Sequence, residues 1–174
     1  GGFGFVVLRD LLLRLVGVKR RLALYTKIVL ITSLALIMLA STIYFTLEYD
    51  RGFHDLTVGE KTMAAVFQGV TPRTAGFNTV PETKLTTASQ FFTLPLMFIG
   101  ASSGSTGGGI KTSTFFIIFM LVFFSSRRNG GVVFLKRRIP STVVSRAFIL
   151  VLKVLMMLVV GIFLLCVSEL IFFP

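Results

Sequence analysis

Residues 85–126 form a run of 42 residues carrying a single charge, Lys111, and in its middle, at 100–109, five of ten residues are glycine. A continuous helix of that length would be roughly twice what a ~30 Å hydrocarbon core needs at ~1.5 Å per residue. Each glycine disfavours helix by about 1 kcal/mol, and the other residues of that stretch are Ala, Ser and Thr, so the run is expected to break there. Irregular backbone at membrane depth persists only where protein surrounds it or where it lines a watery cavity. The pattern therefore predicts an all-α membrane protein with a broken span. Composition agrees, with 54% of the 174 residues hydrophobic and 14% charged, against about 25% charged in soluble domains.

Two further spans are predicted. Residues 28–47 are 20 residues without a charge, the length of one crossing. Residues 147–173 are interrupted early by Lys153, which snorkels toward a basic side, and late by Glu169 near the opposite face. The formal charge of +11 sits in two blocks: Arg9, Arg14, Lys19, Arg20, Arg21 and Lys27 with one acid, Asp10, and six bases with no acid between Ser126 and Arg146. Both blocks flank apolar spans, as cytoplasmic loops do, which argues for a bilayer and against nucleic acid as partner. Asp55 and Glu82 are expected outside, and Asn129 inside. Cys166 has no second cysteine to pair with, and His54 lacks companions for a zinc-type site. The chain opens mid-pattern at Gly1-Gly2-Phe3-Gly4-Phe5 and stops in an apolar run at Pro174, so a piece of a longer polypeptide is expected.

Between the first two spans, residues 58–70 are too short to cross. Thr57 and Glu60 have capping-box spacing, and Thr71-Pro72 ends the helix. About three turns, ~18 Å, reach half-way into a bilayer. Such a half-helix turns the negative end of its dipole toward the membrane centre, where a cation is stabilised. Directly after it, Thr74-Ala75-Gly76-Phe77-Asn78 has the order of small, glycine and aromatic residues found in a carbonyl selectivity filter. The chemistry needs backbone oxygen rather than side chains, and Gly76 supplies unusual dihedrals. An extracellular turn is the plain alternative for the pentapeptide alone; the order of helix, capped half-helix and helix around it favours the filter.

The segment 100–111, with Gly100, Gly104, Ser105, Thr106, Gly107, Gly108, Gly109 and Lys111, is small enough to lie across a pore beneath that filter. A lysine at the bilayer centre costs roughly 2.5–3.5 kcal/mol on insertion scales. Either Lys111 places a positive barrier in the ion's path or it snorkels to the cytoplasmic surface and fixes topology. A phosphate-binding loop is disfavoured because Ile110 separates Gly109 from Lys111, no strand precedes the segment, and no downstream acidic residue offers a magnesium site. Arg73 is expected to brace the filter loop rather than repel ions. Glu48, Asp50, Asp55 and Glu60 either concentrate cations at the mouth or form a solvated face. The Phe-rich stretch 115–124 reads as packing and lipid-facing surface. No nucleophile with a base and no carboxylate pair argues for an enzyme.

The filter and gate motifs, at this spacing and in this topology, resemble the Trk/Ktr/HKT superfamily of cation transporters. The resemblance implies four successive helix, pore-loop, helix modules around a central pore. It places residues 1–24 as the end of one module with a cytoplasmic linker, and 25–126 as the next module, with first helix 28–47, pore helix 58–70, filter 74–78 and broken second helix 85–126. Residues 127–146 become a basic cytoplasmic loop and 147–174 the first helix of the following module. It implies K+ held by the carbonyls of Thr74, Ala75, Gly76 and Phe77, with Na+ as a coupling or alternative ion and no cofactor. Its partners would be the remaining modules, a second copy forming a homodimer, and a cytosolic nucleotide-sensing ring subunit, in the bacterial plasma membrane. The competing readings are a non-transporting helical membrane scaffold and a nucleotide-binding membrane enzyme.

Overall fold

The computed structural model describes residues 2–18, 21–124, 133–134, 137–138 and 140–172. Gly1, Lys19, Arg20, residues 173–174 and most of the basic loop, including Arg127, Arg128, Asn129 and Lys136, lie outside the described residues. The chain divides into two units, residues 1–116 and 117–174.

The first unit opens with α1 (Phe5–Leu15), followed by the long α2 (Leu24–Glu48). Helix α1 falls in the stretch 1–24 that the resemblance assigns to the end of one module and a cytoplasmic linker. Asp10 explains both α1's buried side and the early start of α2. Its Oδ2 accepts the amide of Ala23, the N-cap of α2, at 2.9 Å, and a carboxylate is favourable at the positive end of a helix. The span thus begins four residues before Ile28, and at 25 residues it is ~37 Å long.

Helix α3 (Val58–Val70) has the bounds that its punctuation predicts. Glu60 Oε2 accepts from both the amide and the hydroxyl of Thr57 at 2.8 Å. Those two donors, the amide first, hold the Glu60 carboxyl below the usual carboxylate range. Helix α3 packs along α2 where both carry small residues: a Cβ on Gly69 would lie 2.9 Å from Ser41 Oγ, so only glycine permits this approach.

A short 3-10 turn, Glu82–Lys84, leads to α4 (Thr87–Phe98). The expected run 85–126 is two helices, α4 and α5 (Thr112–Phe124), with non-helical backbone at 99–111. Helix α4 starts at Thr87 and not at Leu85 because Thr86 is its N-cap. Tyr44, Phe53, Ala64, Ala65, Leu85 and Leu96 form the core joining α2, α3 and α4. Within it the Tyr44 hydroxyl lies 2.7 Å from Thr93 Oγ1. Since Thr93 donates its own proton to the Ser89 carbonyl, Tyr44 is the donor.

The second unit contains the rest of α5, a two-rung antiparallel pair, β1 (Val133–Phe134) with β2 (Arg137–Arg138), and α6 (Ser141–Phe172). This small ladder is the departure from an all-helical chain. Helix α6 begins at Ser141, six residues before the expected 147, because Pro140 presets its start and its carbonyl accepts the amides of Val143 and Val144. The segments Leu24–Glu48 and Ser141–Glu169 are long and apolar enough to cross a bilayer, and Thr112–Phe123 is a shorter apolar helix.

Candidate ion-conduction site

At the foot of α3 the backbone turns through residues 71–75, with Arg73 N donating to the Val70 carbonyl and Ala75 N to the Thr71 carbonyl, each at 3.1 Å. Thr74 has φ 66°, the one positive value at a non-glycine residue among those described, and Gly76 has φ 76°. Ala75, between them, has negative φ. Two left-handed positions separated by one residue depart from ordinary extended backbone, in which successive carbonyls point to opposite sides. A β-branched residue in this region is strained, by about 1–3 kcal/mol, and such strain is retained where surrounding structure imposes it. Residues 74–79 are all exposed, whereas Thr71 and Pro72 behind them are buried.

Beneath lies the loop 99–111. Its base is pinched shut by a parallel bridge between Ile99 and Ile110, in which Gly100 N donates to the Ile110 carbonyl at 3.0 Å and Ile110 N to the Phe98 carbonyl at 2.9 Å. A side chain on Gly100 would run into the Gly108 carbonyl. Gly104 and Gly109 carry φ of 77° and 73°. Lys111 Nζ donates to the Gly107 carbonyl at 2.6 Å, so the ammonium is held within the loop.

The segment 73–77 and the loop are in contact. Arg73 Nη2 lies 3.4 Å from the Gly100 carbonyl, just past the C-terminal end of α4, where a cation is favourable. This is the bracing position expected for Arg73. Thr74 Oγ1 occupies the space where a Cβ on Gly107 would stand. Between them is a cavity of about 470 Å³, lined by Thr74, Ala75, Phe77, Thr106 and Gly107, with Ser33, Ile37 and Phe3 on other sides. Gly76, Asn78, Gly108 and Gly109 do not line it. Ser105 hydrogen-bonds back to the Ser102 carbonyl. Among the described residues no three His, Cys, Asp or Glu side chains gather.

Two features were not read from the sequence. Ser102, fully buried, ties the loop to residues 2–5: its amide and hydroxyl bond the Gly2 carbonyl at 3.0 Å, its hydroxyl accepts the Gly4 amide, and Phe5 N donates to the Gly104 carbonyl at 3.1 Å. Thr71, in turn, donates its hydroxyl to the Phe77 carbonyl at 2.6 Å. One expectation is corrected. Glu48 is not a charge at the mouth: it is fully buried and accepts from Gly52 N, Thr86 N and the Thr86 hydroxyl. Asp50, Asp55 and Glu60 remain exposed.

Comparison with known proteins agrees with the resemblance drawn from these motifs. The model of the TrkH cation transport protein family matches residues 1–172. The chain belongs to the TrkH family of cation transport proteins. It is 37% identical over 175 residues to the Ktr system potassium uptake protein B of Bacillus subtilis, covering 97% of this chain and 38% of that protein. It is 32% identical over 171 residues to the potassium/sodium uptake protein NtpJ of Enterococcus hirae, covering 97% and 37%. Over 110 residues it is 37% identical to the Ktr system potassium uptake protein B of Vibrio alginolyticus, covering 62% of this chain and 24% of that protein. The chain thus spans under two-fifths of the length of these relatives. TrkH-family membership makes it part of a membrane transport protein and not of an enzyme.

Proposed function

We propose that the chain supplies one pore module, and the start of the next, of a transporter that takes up potassium through a central pore. Module bounds follow the resemblance: 25–126 for the module, 127–146 for a cytoplasmic loop, 147–174 for the next first helix. Helix α3 enters from outside and ends at mid-membrane with its negative dipole end toward the ion. Carbonyls of Thr74, Ala75, Gly76 and Phe77 replace water around K+. The ion then meets the cavity and the loop 100–111, which gates the path below. The names of the relatives, potassium uptake proteins, support the substrate.

The observation that carries this reading is the alternation of φ at Thr74 and Gly76 directly above a glycine-rich loop. A scaffold without a pore has no use for a strained threonine there. Three further filters come from the rest of the polypeptide, and the assembly is a homodimer in the bacterial plasma membrane, regulated by a cytosolic nucleotide-sensing ring. Sodium as a transported or coupling ion is the second reading, favoured by the potassium/sodium relative.

The test is influx of rubidium, a potassium surrogate, into cells that lack their own potassium uptake and express the full-length protein. Influx inhibited by external potassium is expected. No influx, with the protein inserted in the membrane, contradicts the proposal.

A further inference from the structure

Resting on the filter reading above, we infer that Thr71 is a specificity-determining positioning residue, whose hydroxyl sets the direction of the outermost filter carbonyl, that of Phe77. Thr71 keeps helical dihedrals, φ −55° and ψ −46°, as the C-cap of α3. Its amide donates to the Phe67 carbonyl at 2.9 Å and its carbonyl accepts Ala75 N at 3.1 Å. Its hydroxyl reaches across the turn to the Phe77 oxygen at 2.6 Å, the short end of the range for O–H···O bonds. One buried residue thus holds the pore helix, the middle of the filter segment and its outer end in a fixed relation.

The Phe77 carbonyl needs such an anchor. The Phe77 side chain is 72% exposed, and no atom lies within 4 Å of where a Cβ on Gly76 would stand. Among the described residues, the Thr71 hydroxyl is the hydrogen-bond donor that holds the Phe77 oxygen. Whether selection for K+ rests on cavity size or on the number and field of the carbonyl dipoles, it depends on where each carbonyl oxygen is held. Without the hydroxyl, the Phe77 oxygen is no longer held at one position, and the outer end of the filter can contract around a smaller ion. Selectivity over sodium falls while permeation persists.

Thr71→Val keeps the shape and removes the donor; Thr71→Ser keeps the donor. The potassium-to-sodium ratio of uptake is measured for both in the full-length transporter, at matched membrane insertion, with Gly76→Ser as a control for the filter itself. The expected result is a fall of about three- to tenfold for Thr71→Val, the size of one net hydrogen bond, with Thr71→Ser within about twofold of wild type. A role confined to folding would lower insertion and leave the ratio unchanged. An unchanged ratio in Thr71→Val, while Gly76→Ser lowers it, overturns the inference and leaves the filter standing. If neither variant changes the ratio, the filter reading fails and Thr71 falls with it. Should the valine variant not insert, Thr71→Cys, with its weak S–H donor, is read in its place against the same expectation.

Discussion

Lys111 Nζ donates to the carbonyl of Gly107, four residues back in the same loop, at 2.6 Å. This contact separates two roles for the lysine. If Lys111 closes the loop by holding Gly107, a neutral donor serves; if its charge repels ions, a neutral donor fails. Lys111→Gln is therefore expected to keep rubidium influx near wild type, while Lys111→Ala raises it, since the charge-assisted bond that holds the loop is lost. Equal increases in both variants would assign the lysine to an electrostatic barrier.

The tie between Ser102 and the segment Gly2 to Gly4 spans about a hundred residues of chain. Ser102→Ala leaves the Gly4 amide without its acceptor, a loss of about 1–3 kcal/mol for a buried donor. A side chain on Gly4 would collide with the Ser103 carbonyl, so Gly4→Ala strains the same junction from the other side. Both variants are expected to loosen the loop and raise basal influx. Wild-type influx in both, at equal insertion, would mean that residues 2–5 do not restrain the gate.

Glu48 and Thr86 join the end of α2 to the start of α4, with Oε1 accepting the amide at 2.9 Å and the hydroxyl at 2.6 Å. Glu48→Ala is expected to destabilise the purified full-length protein by about 2–3 kcal/mol in thermal unfolding, and Thr86→Val by about half as much. Because the two share one interaction, the double variant should cost less than the sum of the singles. Strict additivity would show that the pair does not act together.

What the sequence made legible is local. The bounds of α3 follow from Thr57, Glu60 and Pro72, and the break after Phe98 follows from glycine content. Both are properties of neighbours along the chain. Glu48 looked like one member of an acidic run, because its burial depends on Thr86, 38 residues on. Helix α1 lay hidden in a segment read through its basic charges, and its anchor Asp10 gave no periodic signal. The grip of Ser102 on Gly2 and Gly4 joins segments on either side of α2 and α3, and no spacing rule reaches that far. Thr71 reads as a helix stop from Pro72 beside it, whereas its hydroxyl contact depends on how the turn 71–77 folds back in three dimensions.

Orientation is tested without reference to any ion. Cys166 is exposed, so the background carries Cys166→Ser. A membrane-impermeant thiol reagent is expected to label Asp55→Cys in intact cells and to spare Asn129→Cys until the cells are opened. The reverse pattern would invert the pore.

The central claim, that Thr74 to Asn78 is a selectivity filter made of backbone, is tested most directly at Gly76. Its φ of 76° strains any L side chain, although the space around it is open. Gly76→Ser therefore acts through backbone geometry, at a cost of about 1 kcal/mol that the fold can absorb. The measurement is the ratio of potassium to sodium uptake affinities in the full-length transporter carrying Gly76→Ser, at wild-type insertion. The account predicts a weaker potassium affinity and a lower ratio; unchanged affinities for both ions would contradict it and leave the segment an extracellular turn.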